Sequence, residues 1–248
     1  LGVLNGFFFI FFFLKMNTSF LEKPNTRSPG SRHKRVVKTS FFGVSRKTTP
    51  IKKNLYFRKK NAGRNNTGSI TVHGRGGGSR SLVRKLLPLS DFMKYSESLG
   101  DQGNSRFLLT SIEKVPGFGR TFVGLYTPLD SPSAPEFYLP CASEMAVGDV
   151  IYGTSSEDFV TPSKKGFVSS IAQMPQNGYA FNVELSPGQG SKVARSAGSR
   201  VTLQGEDLSS TSTDGSKSFV IKLPSGATST ISGGCLGQTG FNSNEAHY

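Results

Sequence analysis

Tryptophan is absent from this chain, cysteine occurs twice and histidine three times. Each scarcity removes a class of function. Cys141 and Cys235 have no CxxC spacing and no neighbouring histidine, which argues against a disulfide framework or a zinc site; two reduced structural thiols are expected. His33, His73 and His247 are scattered, no serine sits in a GxSxG elbow, and no pair of carboxylates lies near a histidine. The expectation is therefore no enzyme, no cofactor, no bound metal and no small-molecule substrate. Long apolar runs are missing too. The Phe-rich stretch from Phe7 to Leu14 falls short of the roughly 20 residues a membrane span requires, and it has neither a basic lead-in nor a small-residue cleavage site. No membrane partner is expected, and residues 1–15, which precede the first methionine at Met16, are set aside as a doubtful start.

Acidic residues are scarce where basic ones abound. Residues 1–100 hold 20 Lys/Arg and 3 Asp/Glu, whereas residues 101–248 hold 10 and 13, so the net charge of +14 belongs to the first hundred residues. Such asymmetry marks a basic arm on a folded body and a polyanionic partner; the plainer alternative is a solubilising tail. Residues 16–62 mix Lys and Arg with Pro, Ser, Thr and Asn, and Phe41, Phe42, Tyr56 and Phe57 interleave with the cations. Cations there, among them Lys52, Lys53, Arg58, Lys59 and Lys60, neutralise phosphates, while the aromatics stack on bases or dock back onto the protein.

From residue 68 the pattern becomes one of short β-runs: 69–73, a hairpin pair at 106–113 and 120–127, then 136–140, 148–153 and further runs to residue 232, with glycine and proline between them. This spacing predicts one or two small barrels with a boundary near 141–148, where the sequence allows a helical turn. No long amphipathic helix stands out.

Two motifs carry the functional signal. The first runs from Gly63 to Leu86, "GRNNTGSITVHGRGGGSRSLVRKL". Arg64, Arg75, Arg80 and Arg84 bring charge, Asn65 and Asn66 can donate to phosphate or base edges, His73 sits beside the glycines, and Gly76, Gly77 and Gly78 leave the backbone open to a phosphate. The plain alternative is a flexible Arg/Gly loop. The second motif is "VELSPGQGSKVARSAGSRVTL", Val183 to Leu203, whose Lys192, Arg195 and Arg200 cluster, with Ser196 among them, in a half of the chain that is otherwise slightly acidic. Neither is a nucleotide loop: no glycine stands five before Gly190, and Ser79 breaks GxGxxG.

These motifs, with "IKLPSGATSTISGGCLGQTG" after them, closely resemble the signatures of the large-subunit ribosomal protein L-two family, in the family's order, over roughly residues 48–248. The resemblance implies a mainly β chain: a basic, largely extended arm over 1–62, an oligonucleotide-binding-type β-barrel over 63–142 and an SH3-like β-barrel over 143–248. It implies a structural constituent of the large ribosomal subunit. Such a protein binds large-subunit rRNA and neighbouring ribosomal proteins, and supports subunit association and the peptidyl transferase region. On this analogy Arg64, Asn65, Arg75 and Arg80 line one rRNA surface, and Lys192, Arg195 and Ser196 another. Two departures stand out. Ser69 replaces a residue usually basic, which predicts fewer phosphate contacts there. The family continues beyond "NSNEAHY" into an extension with a Gly/His-rich loop, and His247 is not that extension's histidine; a separate chain is expected to supply it. Divergence, the Phe-rich start and the missing extension point to an organelle, a mitochondrial ribosome more than a plastid one, and residues 16–62 are rich in Lys and Arg and poor in acids. The alternative of another class is a stand-alone barrel that binds single-stranded nucleic acid outside the ribosome.

Overall fold

The computed structural model describes residues 21–23, 29–33, 35–44, 50–58, 60–78, 81–99, 105–115, 121–131, 134–152, 165–207 and 217–247. The chain is mainly β, and its antiparallel sheets are those of an oligonucleotide-binding-type barrel followed by an SH3-like barrel. Near the start, β1 (Leu21–Glu22) pairs with β2 (Val36–Val37). A ribbon of β3 (Leu55–Phe57) and β4 (Leu82–Arg84) comes next, then a helix, then a sheet ordered β7-β6-β5-β8 from β5 (Arg106–Lys114), β6 (Phe122–Pro128), β7 (Phe137–Pro140) and β8 (Val150–Tyr152). The ribbon joins this sheet through a parallel bridge from Leu86 to Tyr138, and Leu87 donates to the Tyr138 carbonyl.

Alternation explains the sheet. In β5, Phe107, Leu109 and Ile112 are buried, with the parity shift absorbed by a bulge between Leu109 and Ser111. The rings of Phe92, Phe107 and Phe137 meet at 5.0–5.6 Å in tilted and edge-on pairs, and Tyr126 stacks on Phe137 at 5.9 Å. Gly124 is required at the middle of β6, because a Cβ there would lie 2.5 Å from Leu109 and 2.8 Å from the Cys141 sulfur.

Four readings of the sequence need correction. The sequence reading places no helix here, yet α1 (Leu89–Leu99) begins after Pro88 and buries Leu89, Phe92 and Ser96 against the sheet. Its apolar stripe is interrupted by Ser96, whose carbonyl accepts from Ser105 Oγ, so the pattern is faint in sequence. The run at 69–73 is no strand. Only an isolated Arg64–Ile70 bridge forms, and Ile70 and Val72 stay about half exposed, at 52% and 47%, so their alternation faces no core. The barrel also begins inside the stretch assigned by composition to the arm, since Leu55–Phe57 pair with Leu82–Arg84. Composition registers charge; a pairing partner some 25 residues away is invisible to it. On the other side of the expected boundary, β8 returns to the first sheet, pairing Phe107 with Ile151. Between them, Asp149 accepts from the Ala146 N–H in a turn rather than a helix.

The second barrel holds a six-stranded sheet ordered β15-β14-β13-β10-β16-β9. Its strands are β9 (Val168–Ser170), β10 (Tyr179–Phe181), β13 (Val201–Glu206), β14 (Ser218–Lys222), β15 (Thr228–Ser232) and β16 (Leu236–Thr239). A small ribbon of β11 (Val183–Glu184) and β12 (Ser191–Val193) stands apart from it. Phe181, Val201, Leu203 and Ile221 fill the core. The barrels share material. Phe167 and Val168 pack with the aromatic cluster of the first. Ser143 donates to the Phe241 carbonyl at 2.8 Å, Phe122 N–H to Ser243 Oγ at 2.9 Å, and Ala142 bridges to Asn242.

Arg84 and Glu113 form a buried ion pair, with Nε 2.8 Å from Oε2 and side chains 12% and 2% exposed; the Tyr138 hydroxyl reaches Glu113 as well. Glu113→Gln leaves the guanidinium enclosed without its counter-charge and should lower unfolding free energy by about 3–5 kcal/mol in denaturant titration. An unchanged midpoint would show that Arg84 draws nothing from this contact. Burial pushes the Cys141 thiol up to about 12, outweighing the opposing effect of the Tyr126 hydroxyl, and burial raises the Cys235 thiol too. Iodoacetamide at pH 8 should therefore label neither cysteine in the folded chain and both after denaturation, as mass spectrometry will read.

Candidate nucleic-acid interface

The first motif folds as a loop built on Gly63. Its φ is +74°, and a Cβ would meet the Val72 carbonyl oxygen at 2.3 Å, so only glycine fits. The Gly63 carbonyl accepts from Thr71 and Val72 N–H groups at 3.0 and 3.2 Å, which closes the loop. Asn65 then organises its tip: Oδ1 accepts from Thr67 N–H at 3.0 Å, Thr67 Oγ1 at 2.7 Å and Ser69 N–H at 2.9 Å. The amide oxygen of Asn65 thus shapes the loop. Around this frame Lys60, Arg64, Asn66, His73 and Arg75 are exposed, with Arg64 also donating to the Ala62 carbonyl at 2.9 Å. Gly74 and Gly78 adopt φ of +77° and +58°, and space around Gly74 and Gly76 is open. Gly77 is half-buried, with Ala62 beside it. Lys59 and Arg80 lie outside the described residues. Arg84 does not join this surface, since its guanidinium turns inward to Glu113.

The second motif makes the β11–β12 ribbon and the turn between them. Gly188 and Gly190 take φ of +76° and +77°, and neither would meet a neighbour if it carried a side chain. The turn is held from within by Glu184, a fully buried carboxylate whose Oε2 accepts from Gly188 N–H at 3.3 Å and from Leu236 N–H at 3.4 Å. Sequence reasoning missed this residue. The available signal was a single acid four positions before the glycine of a cation-rich turn. Lys192 is exposed and donates to Gln189 Oε1 at 3.1 Å, and Arg195 donates to the Ser191 carbonyl at 3.2 Å. Ser196 is exposed and its carbonyl accepts from Ser199 Oγ at 2.6 Å. Arg200 packs its guanidinium against two rings, 5.1 Å from Tyr179 and 4.7 Å from Phe241.

Lost solvation holds the Arg195 guanidinium below its usual range, and the Tyr56 phenol on β3 acts on it in the opposite sense. Tyr56 is half exposed and is flanked in sequence by the exposed cations Lys52, Lys53 and Arg58.

The arrangement offers cations, open backbone amides and an exposed phenol. Among the described residues no group of three or more His, Cys, Asp or Glu side chains could hold a metal ion. A cleft of about 610 Å³ between α1 and β7, lined by Asn54, Lys85, Pro88, Asp91, Tyr95 and Glu136, contains none of the candidate residues.

Comparison with known proteins gives the same direction. A family model for the C-terminal domain of ribosomal proteins L2 matches residues 164–248. The large ribosomal subunit protein uL2 of Brucella canis is 31% identical over 228 residues, an alignment that covers 92% of this chain and 72% of the relative. The uL2 proteins of Brucella abortus strain S19 and Rhodopseudomonas palustris strain BisA53 are 32% and 31% identical with the same coverage. With identity at that level along nearly its whole length, the chain belongs to the large ribosomal subunit protein uL2 family.

Proposed function

We propose that this chain is a structural constituent of the large ribosomal subunit that binds rRNA through its two glycine-rich loops. The observation that carries the reading is the pair of glycine-bearing loops, each braced from within and each displaying exposed cations, Arg64 and Arg75 on the first and Lys192 and Arg195 on the second. Phosphates are met by Lys52, Lys53, Arg58, Lys60, Arg64 and Arg75 on one side and by Lys192 and Arg195 on the other. Asn66 and His73 face solvent beside them and can donate to phosphate or base edges, and Ser196 does the same in the second loop. Asn65, Gly63 and Glu184 act indirectly, by holding the loops in shape.

By the same family reading, the protein supports subunit association and the peptidyl transferase region and contacts neighbouring ribosomal proteins. A mitochondrial ribosome is favoured by the 31–32% identity to bacterial relatives together with the Lys/Arg-rich, acid-poor residues 16–62.

Sedimentation of an organelle lysate, with mass spectrometry of the large-subunit fraction, tests the assignment. The chain should appear there in stoichiometric amount. The same run reads whether a separate polypeptide with a Gly/His-rich extension travels with it. If the chain stays at the top of the gradient free of rRNA, the stand-alone nucleic-acid-binding barrel becomes the better account. In vitro, binding to a transcript of the large-subunit rRNA from the same organism should weaken linearly with log salt. Arg75→Ala and Lys192→Ala should each flatten that slope by about one unit. An unchanged slope would remove the residue from the interface.

A further inference from the structure

The cleft of about 610 Å³ between α1 and β7 belongs to neither glycine-rich loop, and its chemistry is opposite to theirs. Leu86, Leu87, Pro88 and Phe137 give it an apolar floor. Its walls are tied together. The Tyr95 hydroxyl of α1 donates to the Pro135 carbonyl at 3.1 Å, and Asn54 Nδ2, just before β3, donates to the Glu136 carbonyl at 3.3 Å. Leu87 N–H donates to the Tyr138 carbonyl at 2.9 Å and Lys85 N–H to the Asn54 carbonyl at 2.7 Å, which fixes the floor to ribbon and sheet. The groove is therefore preformed. Its rim carries two exposed carboxylates, Asp91 and Glu136, and among the described residues neither forms an ion pair. Lys85 is the only cation among the described lining residues, so negative charge prevails. That sign departs from its surroundings. Residues 1–100 hold 20 Lys/Arg against 3 Asp/Glu, and two of those three acids, Asp91 and Glu97, stand on α1. Asp91 also meets the N-terminal dipole of its helix, whereas Glu136 lies on no helix and has no such role.

We propose that this cleft docks an extended, lysine-bearing segment of a neighbouring protein, whose ammonium groups meet Asp91 and Glu136. It rests on the reading of the chain as a constituent of the large subunit, where other proteins lie alongside it, and gives the chemistry of one such contact. Three features favour a basic peptide. A lysine has a long aliphatic stem and a charged head, which matches an apolar floor under a carboxylate rim. The same two carboxylates repel phosphate, so the cleft selects against the nucleic acid that the loops attract. The exposed rings of Pro88 and Pro135 edge the groove without N–H groups to offer. Recognition there runs through apolar contact and charge, not through an added β-strand. A groove already held rigid by its own hydrogen bonds leaves only the incoming segment to be ordered, which suits a basic tail that has no fold of its own.

The test treats purified large subunits with a water-soluble carbodiimide, which joins a carboxylate to a lysine amine in direct contact, and reads the joined peptides by mass spectrometry. Asp91 or Glu136 should be found joined to a lysine within one segment of another protein. A synthetic peptide of that segment should bind the full free chain in fluorescence anisotropy, more weakly as salt rises. Asp91→Asn with Glu136→Gln should weaken that binding about three- to tenfold and remove the cross-link. Each variant is checked by thermal melting, and Glu136→Gln alone remains decisive should Asp91→Asn melt early. If the chain is present in the subunits but neither carboxylate is joined to another protein, the docking proposal fails and the ribosomal reading survives. Joining only to lysines of this same chain would show that its own arm fills the cleft, and ultraviolet cross-linking of rRNA to the peptide containing Tyr95 would show RNA there; either result overturns the proposal. Absence of the chain from large subunits would overturn both readings.

Discussion

The hydrogen bonds that Phe241 and Ser243 make with the first barrel govern how this molecule presents its surface. The Phe241 carbonyl takes the Ser143 N–H, Ser243 Oγ takes the Phe122 N–H, and Asn242 bridges to Ala142. The Phe122–Ser243 bond is buried, and an unmatched donor there would carry a penalty on the order of 1–3 kcal/mol. The bonds therefore define one relative placement of the two barrels, reinforced by Phe167 and Val168 packing into the aromatic cluster.

The loops on the surface so formed are held from behind. The Gly63 carbonyl takes the Thr71 and Val72 N–H groups, Asn65 gathers three donors within its own turn, and Glu184 pins the Pro187–Gly188 turn from inside the core. Polar side chains that looked like binding groups are in part scaffolding, and the cations project from a rigid frame. Such a frame loses little entropy on meeting a charged backbone, the situation in which sequence-independent phosphate contact is most effective.

Arg84 and Arg200 show that charge alone does not locate a contact. Both are arginines inside or beside a signature motif. Arg84 is enclosed with Glu113, and Arg200 is displayed on a platform of two rings. Their difference lies in what the neighbouring strands bring: β5 delivers a carboxylate to the first, and β10 with the end of β16 delivers aromatics to the second.

The sequence by itself determined the family, the mainly β character, the strands of the first sheet and the concentration of cations near Gly63–Gly78 and Gly188–Arg200. Those are properties of local pattern: alternation, glycine at positive φ and runs of like charge are each read within a few residues. Tertiary structure alone decided that 69–73 would be loop, that Leu55–Phe57 would enter the barrel and that Ser96 would be buried on a helix. It also decided that Glu184 would serve the second loop and that Tyr179 and Phe241 would gather around Arg200. Each of these depends on a partner tens of residues away, and a partner at that separation is chosen by which buried donors and apolar faces remain to be satisfied once the sheets have closed.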